Sequence, residues 1–431
     1  MIPVARRDGW TYWEVEHLIR DGVLEIGDGY RAKNSEMGRP GLPFARAGNV
    51  NGGFHFEDAD ILSDYSVQRA GAKVSRMGDV VFTSKGTFGR FAFVREDTPR
   101  FVYSPQLCYW RLKTYEPVEP RFLYYWMQGP DCMNQLSQVK GLTDMADYVS
   151  LTNQRKMWVS APPLPTQRKI AAILAAYDDL IDNNTRRIAL LETIAHALYR
   201  EWFVHFRYPG HHAVPLIDSP LGPIPEGWRT VNLSSVVETQ YGYTESARQE
   251  AVGPKFIRGM DINKTSYIDW DSVPYCPISE PDHDRYRVSF GDILVVRMAD
   301  PGKVGIVESD IDAVFASYLI RLRSRVASLS PYYLFYFLLS DRYQNYITGA
   351  STGTTRKSAS AGVITDIEIL TPPDDTRRTF EEQVSMIRQM LNNLLRRNAL
   401  LRRTRDLLLP KLISGEVDVA ALDIPTEEIT S

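Results

Sequence analysis

Two long amphipathic stretches, one mid-chain and one near the C-terminus, carry an apolar seam in the same register. The first runs Leu174, Tyr177, Ile181, Asn184, Ile188, Leu191, Ala195, Leu198, Trp202. The second runs Val384, Ile387, Leu391, Leu394, Asn398, Leu401, Arg405, Leu408, Leu412, each position 210 residues after its counterpart. Both step 3,4,3,4, the heptad spacing of helices that pack along their length. Arg186-Arg187 lies over Arg396-Arg397, and Leu190-Leu191 over Leu400-Leu401. A period this long is no solenoid repeat. It points to a duplicated unit, a globular part followed by a long helix.

The duplication extends into the globular parts. Phe44-Ala45-Arg46 matches Phe256-Ile257-Arg258, and Val50 matches Ile262. Gly78-Asp79-Val80-Val81 matches Gly291-Asp292-Ile293-Leu294, and Pro120-Arg121-Phe122-Leu123 matches Pro331-Tyr332-Tyr333-Leu334. Between these anchors the copies diverge, which suggests one fold reading two different things.

These anchors divide the chain into mixed strands and helices over 1–160, a helix region over 161–207 and a Pro/Gly-rich linker over 208–227. A second mixed domain follows over 228–370, then a helix region over 371–415 and an acidic tail over 416–431. The first helix is expected over 166 to about 206, after Pro162-Pro163-Leu164-Pro165, with Thr166 as N-cap. The second is expected over 376 to about 413, with Gly415 as its stop. A helix of roughly 40 residues spans about 60 Å. A domain of this size cannot easily return the chain to its start, so the second helix is expected to run back along the first. The expected fold class is α+β: two similar globular α/β domains joined by two long antiparallel coiled-coil helices, a pseudo-twofold dumbbell.

Composition sets the broad class. The hydrophobic fraction of 44% and charged fraction of 24% are those of a globular protein, and the formal charge is −3. The chain is not globally basic, although local patches can still bind nucleic acid. Cys108, Cys132 and Cys276 are widely spaced and form no CxxC, so they read as buried or incidental thiols of a reducing compartment. The N-terminus has no apolar core of a signal peptide, and the longest apolar run, Tyr332 to Leu339, is too short for a membrane span. A cytoplasmic location is expected.

No catalytic constellation emerges: no Walker loop, dinucleotide fingerprint, HExxH, GxSxG, or the (Asn/Asp)-Pro-Pro-Tyr string with which an amino-methyltransferase holds its base. His211-His212 is either a metal pair or two loop histidines, and His196 and His205 on the first helix suggest surface or partner contact. No metal or catalytic residue is assigned.

Two Gly-bearing turns follow the duplicated Gly-Asp motif: Ser84-Lys85-Gly86-Thr87-Phe88-Gly89-Arg90, and Arg297 to Gly305 with Lys303. A second pair of segments precedes the helices: Lys140-Gly141-Leu142-Thr143-Asp144, and Ser351-Thr352-Gly353-Thr354-Thr355-Arg356-Lys357. Each is either an ordinary surface turn or a loop that brings cations and hydroxyls to DNA phosphates and base edges. With Arg46 and Arg258 of the aligned strings, the candidate DNA-contacting residues are Lys85, Arg90, Lys140, Thr143, Arg297, Lys303, Ser351, Thr352, Thr354, Arg356 and Lys357. The second helix carries a run of cations that includes Arg377, Arg378, Arg388, Arg396, Arg397, Arg402 and Arg403. That run is either a solvated face or a source of electrostatic steering. Asn184, Asn398 and Arg405 are polar at seam positions, where they either fix register or mark partial exposure.

Local strings also resemble a known family. They are Pro163-Leu164-Pro165-Thr166-Gln167-Arg168-Lys169-Ile170-Ala171, then Asp178-Asp179-Leu180-Ile181-Asp182-Asn183-Asn184, then Trp202 to Gly210, then Gly222-Pro223-Ile224-Pro225-Glu226-Gly227-Trp228. Together with the duplicated layout, this resembles the specificity subunit of Type I restriction–modification systems over nearly the whole chain. The resemblance implies two target recognition domains reading an asymmetric, two-part site in double-stranded DNA, with the helices as spacers. It implies methyltransferase and restriction/translocase subunits as partners and no catalysis by this chain. S-adenosylmethionine, ATP and Mg are then expected in the partners, with no cofactor bound here. One departure is Thr371-Pro372-Pro373-Asp374-Asp375-Thr376, which lacks the Leu-Pro-x-Gln of the first helix. Two rival functions remain at this point: a self-contained restriction or modification enzyme with an unrecognised motif, and a coiled-coil scaffold that binds only protein.

Overall fold

The computed structural model describes residues 7–85, 89–139, 149–326, 329–351 and 357–426. The chain forms two compact units, residues 1–181 with 400–431, and residues 182–399. The division cuts through both long helices rather than falling in the linker.

Each unit contains the same α+β arrangement. In the first, a four-stranded antiparallel sheet runs in the order Leu24–Asp28, Leu107–Leu112, Val80–Thr83, Phe91–Phe93. In the second, the order is Val237–Tyr241, Leu319–Ser324, Ile293–Val296, Val304–Ile306. The central strands read Leu-Cys-Tyr-Trp-Arg-Leu and Ile-Leu-Val-Val and are buried on both faces. Such continuous burial explains why they lack the alternating pattern of a half-exposed strand. A short parallel pair accompanies each sheet, Phe44-Ala45 with Val102-Tyr103 and Lys255–Ile257 with Ala313–Phe315. A strand near the start of each copy closes antiparallel on the strand before the long helix. These pairs are Thr11–Glu14 with Trp158–Ala161, and Arg229–Asn232 with Glu368–Thr371.

The duplicated Gly-Asp motif has a definite structural role. Gly78 and Gly291 both adopt φ +86°, a conformation that disfavours any residue with a Cβ. The following Asp79 and Asp292 are buried, and each cuts off the backbone turn before it by accepting from the N–H of Arg76 or Ser289 at 2.8 Å. Each carboxylate is then paired: Asp79 with Arg111 at 2.7 Å, and Asp292 with Arg323 Nη2 at 2.7 Å. A buried carboxylate needs such a partner. In the first unit Tyr103 also donates to Asp79 at 2.6 Å, and burial pushes its phenol well above the usual range.

The long helices span Leu164–Phe203 and Asp374–Ser414. The first begins two residues earlier than expected, directly after Pro163. Thr166 therefore sits inside the first turn, its N–H bonding to Pro163 O at 2.9 Å, and is not the N-cap. Pro165 is tolerated there because first-turn N–H groups have no helical acceptor. His205 lies just past the end of this helix, not on it. Gly415, at φ +73°, follows the last turn of the second helix.

Every seam position of both helices is buried or half-buried, including Leu174, Ile181, Ile188, Leu191, Leu198, Val384, Ile387, Leu391, Leu401 and Leu408. In the first unit, Arg405 reaches Asp178 at 2.6 Å, and Leu174 shares a core with Leu409 and Leu412. In the second, Asn184 meets Asn398, while Trp202 lies 5.9 Å from Phe380 between ring centroids. Residue numbers rise along one helix as they fall along the other, so the packed segments within each unit are antiparallel.

One member of the cationic run does not face solvent. Arg388 is fully buried; its Nε donates to Glu308 at 3.0 Å, its Nη2 pairs with the same carboxylate, and its Nη1 donates to Ser266 Oγ at 2.7 Å. Sequence reasoning grouped it with its solvated neighbours because it lies one position off the heptad seam.

Candidate nucleic-acid interface

The loops of the two copies can be compared bond by bond. Antiparallel pairing ends at Thr83 with Leu107 in one unit and at Val296 with Leu319 in the other. The next residues are Ser84 opposite Gln106, and Arg297 opposite Tyr318. The Ser84 N–H donates to Gln106 O at 2.9 Å, and the Arg297 N–H donates to Tyr318 O at 2.9 Å. The carbonyls are used alike: Val149 N–H donates to Ser84 O at 3.3 Å, and Ala359 N–H to Arg297 O at 2.9 Å. In both units, therefore, the Gly-bearing turn is stitched to the segment that precedes the long helix. Two stretches that the sequence leaves about 60 residues apart form one surface.

The turn bearing Gln106 and Tyr318 is built the same way twice. Leu107 N–H returns to Ser104 O, and Leu319 N–H to Ala316 O, each at 2.9 Å. A β-carbon on Gly29 would stand 2.0 Å from Ser104 O, and one on Gly242 2.2 Å from Ala316 O. Glycine there lets the two backbones touch. The turn lifts Gln106 and Tyr318 into solvent while Leu107 and Leu319 enter the core.

Around this shared frame the side chains differ. In the first unit, Gln106 Oε1 accepts the Ala47 N–H at 3.1 Å, and Arg90 Nη1 donates to Ala47 O at 3.2 Å. Arg46, exposed beside them, pairs with Asp60 at 2.6 Å. Lys85, two residues beyond its strand, is half-buried. In the second unit, the Arg297 guanidinium lies 5.0 Å from the centre of the Tyr241 ring. Its Nε is buried with no hydrogen-bond partner among the described residues. Met298-Ala299 pairs with Lys357-Ser358, which brings Lys357 beside the Arg297 turn. Lys303 and Lys357 are exposed. Gly302 adopts φ +94°, and a β-carbon there would stand 2.4 Å from Ile347 Cγ2. Gln344 donates to Gly302 O at 2.9 Å, so this turn is packed onto a helix.

Two candidates prove to be held by carboxylates. Arg258 donates to Asp261 from Nε at 3.1 Å and Nη2 at 2.9 Å, which matches the Arg46–Asp60 pairing in consequence. The Ser351 hydroxyl donates to Ile347 O at 2.5 Å and so closes the end of a helix. Lys140, Thr143, Thr352, Thr354 and Arg356 lie outside the described residues. Sequence reasoning missed Gln106, Tyr241 and Tyr318. None belongs to a motif, and only the 212-residue offset of Gln106 from Tyr318 marked that turn as shared.

Other chemistry is sparse. Among the described residues no cluster of three or more His, Cys, Asp or Glu could hold a metal. His211 Nδ1 lies 2.8 Å from Tyr208 O in a loop turn. The three cysteines are free and buried, and burial raises the thiol pKa of each. No described helix is long and apolar enough to cross a membrane.

Residues 14–193 match the family model of the Type I restriction modification DNA specificity domain. The chain is 22% identical over 376 residues to the Type I restriction enzyme MjaIX specificity subunit of Methanocaldococcus jannaschii, covering 84% of this chain and 82% of that one. It is 23% identical over 444 residues to the HindI specificity subunit of Haemophilus influenzae, with 88% and 95% covered. In fold it resembles the crystal structure of a Type-I restriction-modification system S subunit from M. genitalium. The TM-score is 0.55 at 12% identity, over 95% of this chain and 98% of that chain. The resemblance to specificity subunits thus holds in sequence and in fold.

Proposed function

We propose that this chain reads DNA for a Type I restriction–modification complex. Each globular copy recognises one half of a bipartite, asymmetric site, and the chain recruits methyltransferase and restriction subunits that hold the S-adenosylmethionine, ATP and Mg. The observation that carries this reading is the repeated loop frame. The same backbone bonds support Ser84 and Gln106 in one copy and Arg297 and Tyr318 in the other. A scaffold that bound only protein has no need to keep the frame and vary what it presents. A reader of two different half-sites needs both.

The net charge of −3 fits a reader whose partners share the neutralisation of phosphate. The test is a domain exchange. Replacing residues 1–160 with the corresponding part of another specificity subunit should change one half of the recognised site and leave the other intact. A change in both halves, or in neither, contradicts the modular reading.

A further inference from the structure

We infer that Gln106 and Arg297, opposite members of the repeated residue pair, are the specificity-determining side chains of the two copies, Gln106 reading an adenine and Arg297 a guanine. This inference rests on the DNA-reading function proposed above and assigns residues within it.

The argument begins with the residue pair just beyond the end of each ladder. Its backbone is fixed identically in both units by four hydrogen bonds, two in each. Within the first pair Ser84 is buried, so only Gln106 protrudes. Within the second, Arg297 replaces that serine and Tyr318 replaces the glutamine. The frame therefore offers one place where a changed side chain alters what is presented without altering the fold.

Each side chain is also oriented in advance. The Ala47 N–H at 3.1 Å selects the oxygen of the Gln106 amide and fixes which way the group points. The oxygen keeps a second lone pair and the nitrogen two donors. That donor–acceptor pair complements adenine N6 and N7. The Arg297 guanidinium lies over the Tyr241 ring, 5.0 Å from its centre, and its buried Nε finds no partner among the described residues. A planar fork of donors complements guanine O6 and N7. Tyr318 stands exposed next to it, and Ala361 N–H ties Tyr241 OH to the segment before the helix at 3.0 Å.

The experiment uses the full chain in its own host. The gene is deleted, variants are returned, and methylated sites are read by sequencing. The wild-type gene should restore a bipartite motif. Gln106→Ala should lose an adenine preference at one position of one half-site, and Arg297→Ala a guanine preference in the other half. Discrimination at the affected position should fall roughly 5- to 160-fold, the loss of one bidentate base contact. Arg297→Lys keeps the charge but not the fork and should relax the same position. Gln106→Arg should convert adenine preference to guanine, a gain that misfolding cannot produce. An unchanged motif in the alanine variants, or methylation abolished by both alanine variants with no conversion by Gln106→Arg, overturns the inference. If deleting the gene alters no bipartite motif, the proposed function itself fails.

Discussion

Asn184 and Asn398 face one another within the helix pair, the amide of the first donating to the oxygen of the second at 2.8 Å, with both side chains buried. Asn398 Nδ2 also donates to Thr185 at 3.3 Å. The two amides satisfy each other only in one register, because a slip of one heptad parts them and opposes Asn184 to Leu391 or Arg405 and Asn398 to Tyr177 or Leu191. Asn398→Leu should therefore destabilise by about 1–3 kcal/mol, the cost of leaving Asn184 without its partner. The double replacement by Leu should recover that loss and weaken register specificity. Thermal melts check the energies, and disulfide trapping between cysteines placed one heptad apart checks the register. A double variant as unstable as the single one contradicts the pairing.

How far the sequence disclosed this is instructive. Heptad spacing placed both asparagines at the seam but left open whether they were paired or exposed. Antiparallel packing followed from length alone. The Gly78-Asp79 and Gly291-Asp292 strings were visible as a repeat, but their partners Arg111 and Arg323 were not. An arginine inside a buried strand looks like a half-exposed one until the neighbouring sheet is known. Arg388 was read as part of a cationic face because its partner Glu308 is 80 residues away, just beyond the strand Val304–Ile306. The candidate interface was half legible: glycine turns and cationic segments were seen singly, while the bonds joining them depend on tertiary folding.

Arg388 and Glu308 supply the second prediction. Both are buried, and the arginine is further held by Ser266. Arg388→Met should cost about 3–5 kcal/mol, because it strands a buried carboxylate. Adding Glu308→Leu should restore most of the loss, since replacing a whole buried pair by apolar groups is often near neutral. Chemical denaturation of the three variants decides it. Tyr332 OH also donates to Glu308 at 3.0 Å, so comparable stability of Arg388→Met and wild type would show that this hydroxyl alone satisfies the buried carboxylate.

The repeated Asp–Arg pair predicts unequal sensitivity. Asp79 and Asp292 are both buried, but Arg111 has a side chain 5% exposed while Arg323 is 35% exposed. Removing the carboxylate takes two close bonds from Arg111 in the interior and leaves it the Ala72 and Val74 carbonyls, whereas Arg323 can reach water and the buried Arg321, 3.6 Å from Asp292, keeps its bond to Arg287 O at 2.8 Å. Asp79→Asn should therefore destabilise the chain more than Asp292→Asn, the first approaching the roughly 3–5 kcal/mol of a broken buried pair. Melting of both variants under the same conditions tests the order, and the reverse order refutes it.

Glu119 gives a pH dependence. It is buried at the start of a helix, where it accepts the Phe122 N–H, and burial holds its carboxyl above the usual glutamate value. A raised folded pKa means the acid form is favoured in the native state. The associated stability is complete below the unfolded value and is lost as pH rises through the folded one. Glu119→Gln cannot ionise, so its melting temperature relative to wild type should rise as pH climbs above the ordinary glutamate value of about 4. A difference independent of pH would mean that the carboxylate bears no burial penalty.

Lys303 and Lys357 differ from two of the candidate arginines, Arg258 in the same unit and Arg46 in the other. Both are exposed and have no carboxylate partner among the described residues, whereas Arg258 is held by Asp261 and Arg46 by Asp60. A free cation beside a base-reading turn is placed to meet phosphate. Its contact carries no sequence information, and its contribution is mostly counterion release. Lys303→Ala and Lys357→Ala should each weaken binding to all sequences alike. Each should lower the slope of log affinity against log salt by about 0.9. Arg297→Lys should do the opposite, keeping the slope while relaxing one base. Titrations of a selected site and a scrambled site over a salt series separate the two behaviours. An unchanged slope for both lysine variants removes them from the phosphate interface.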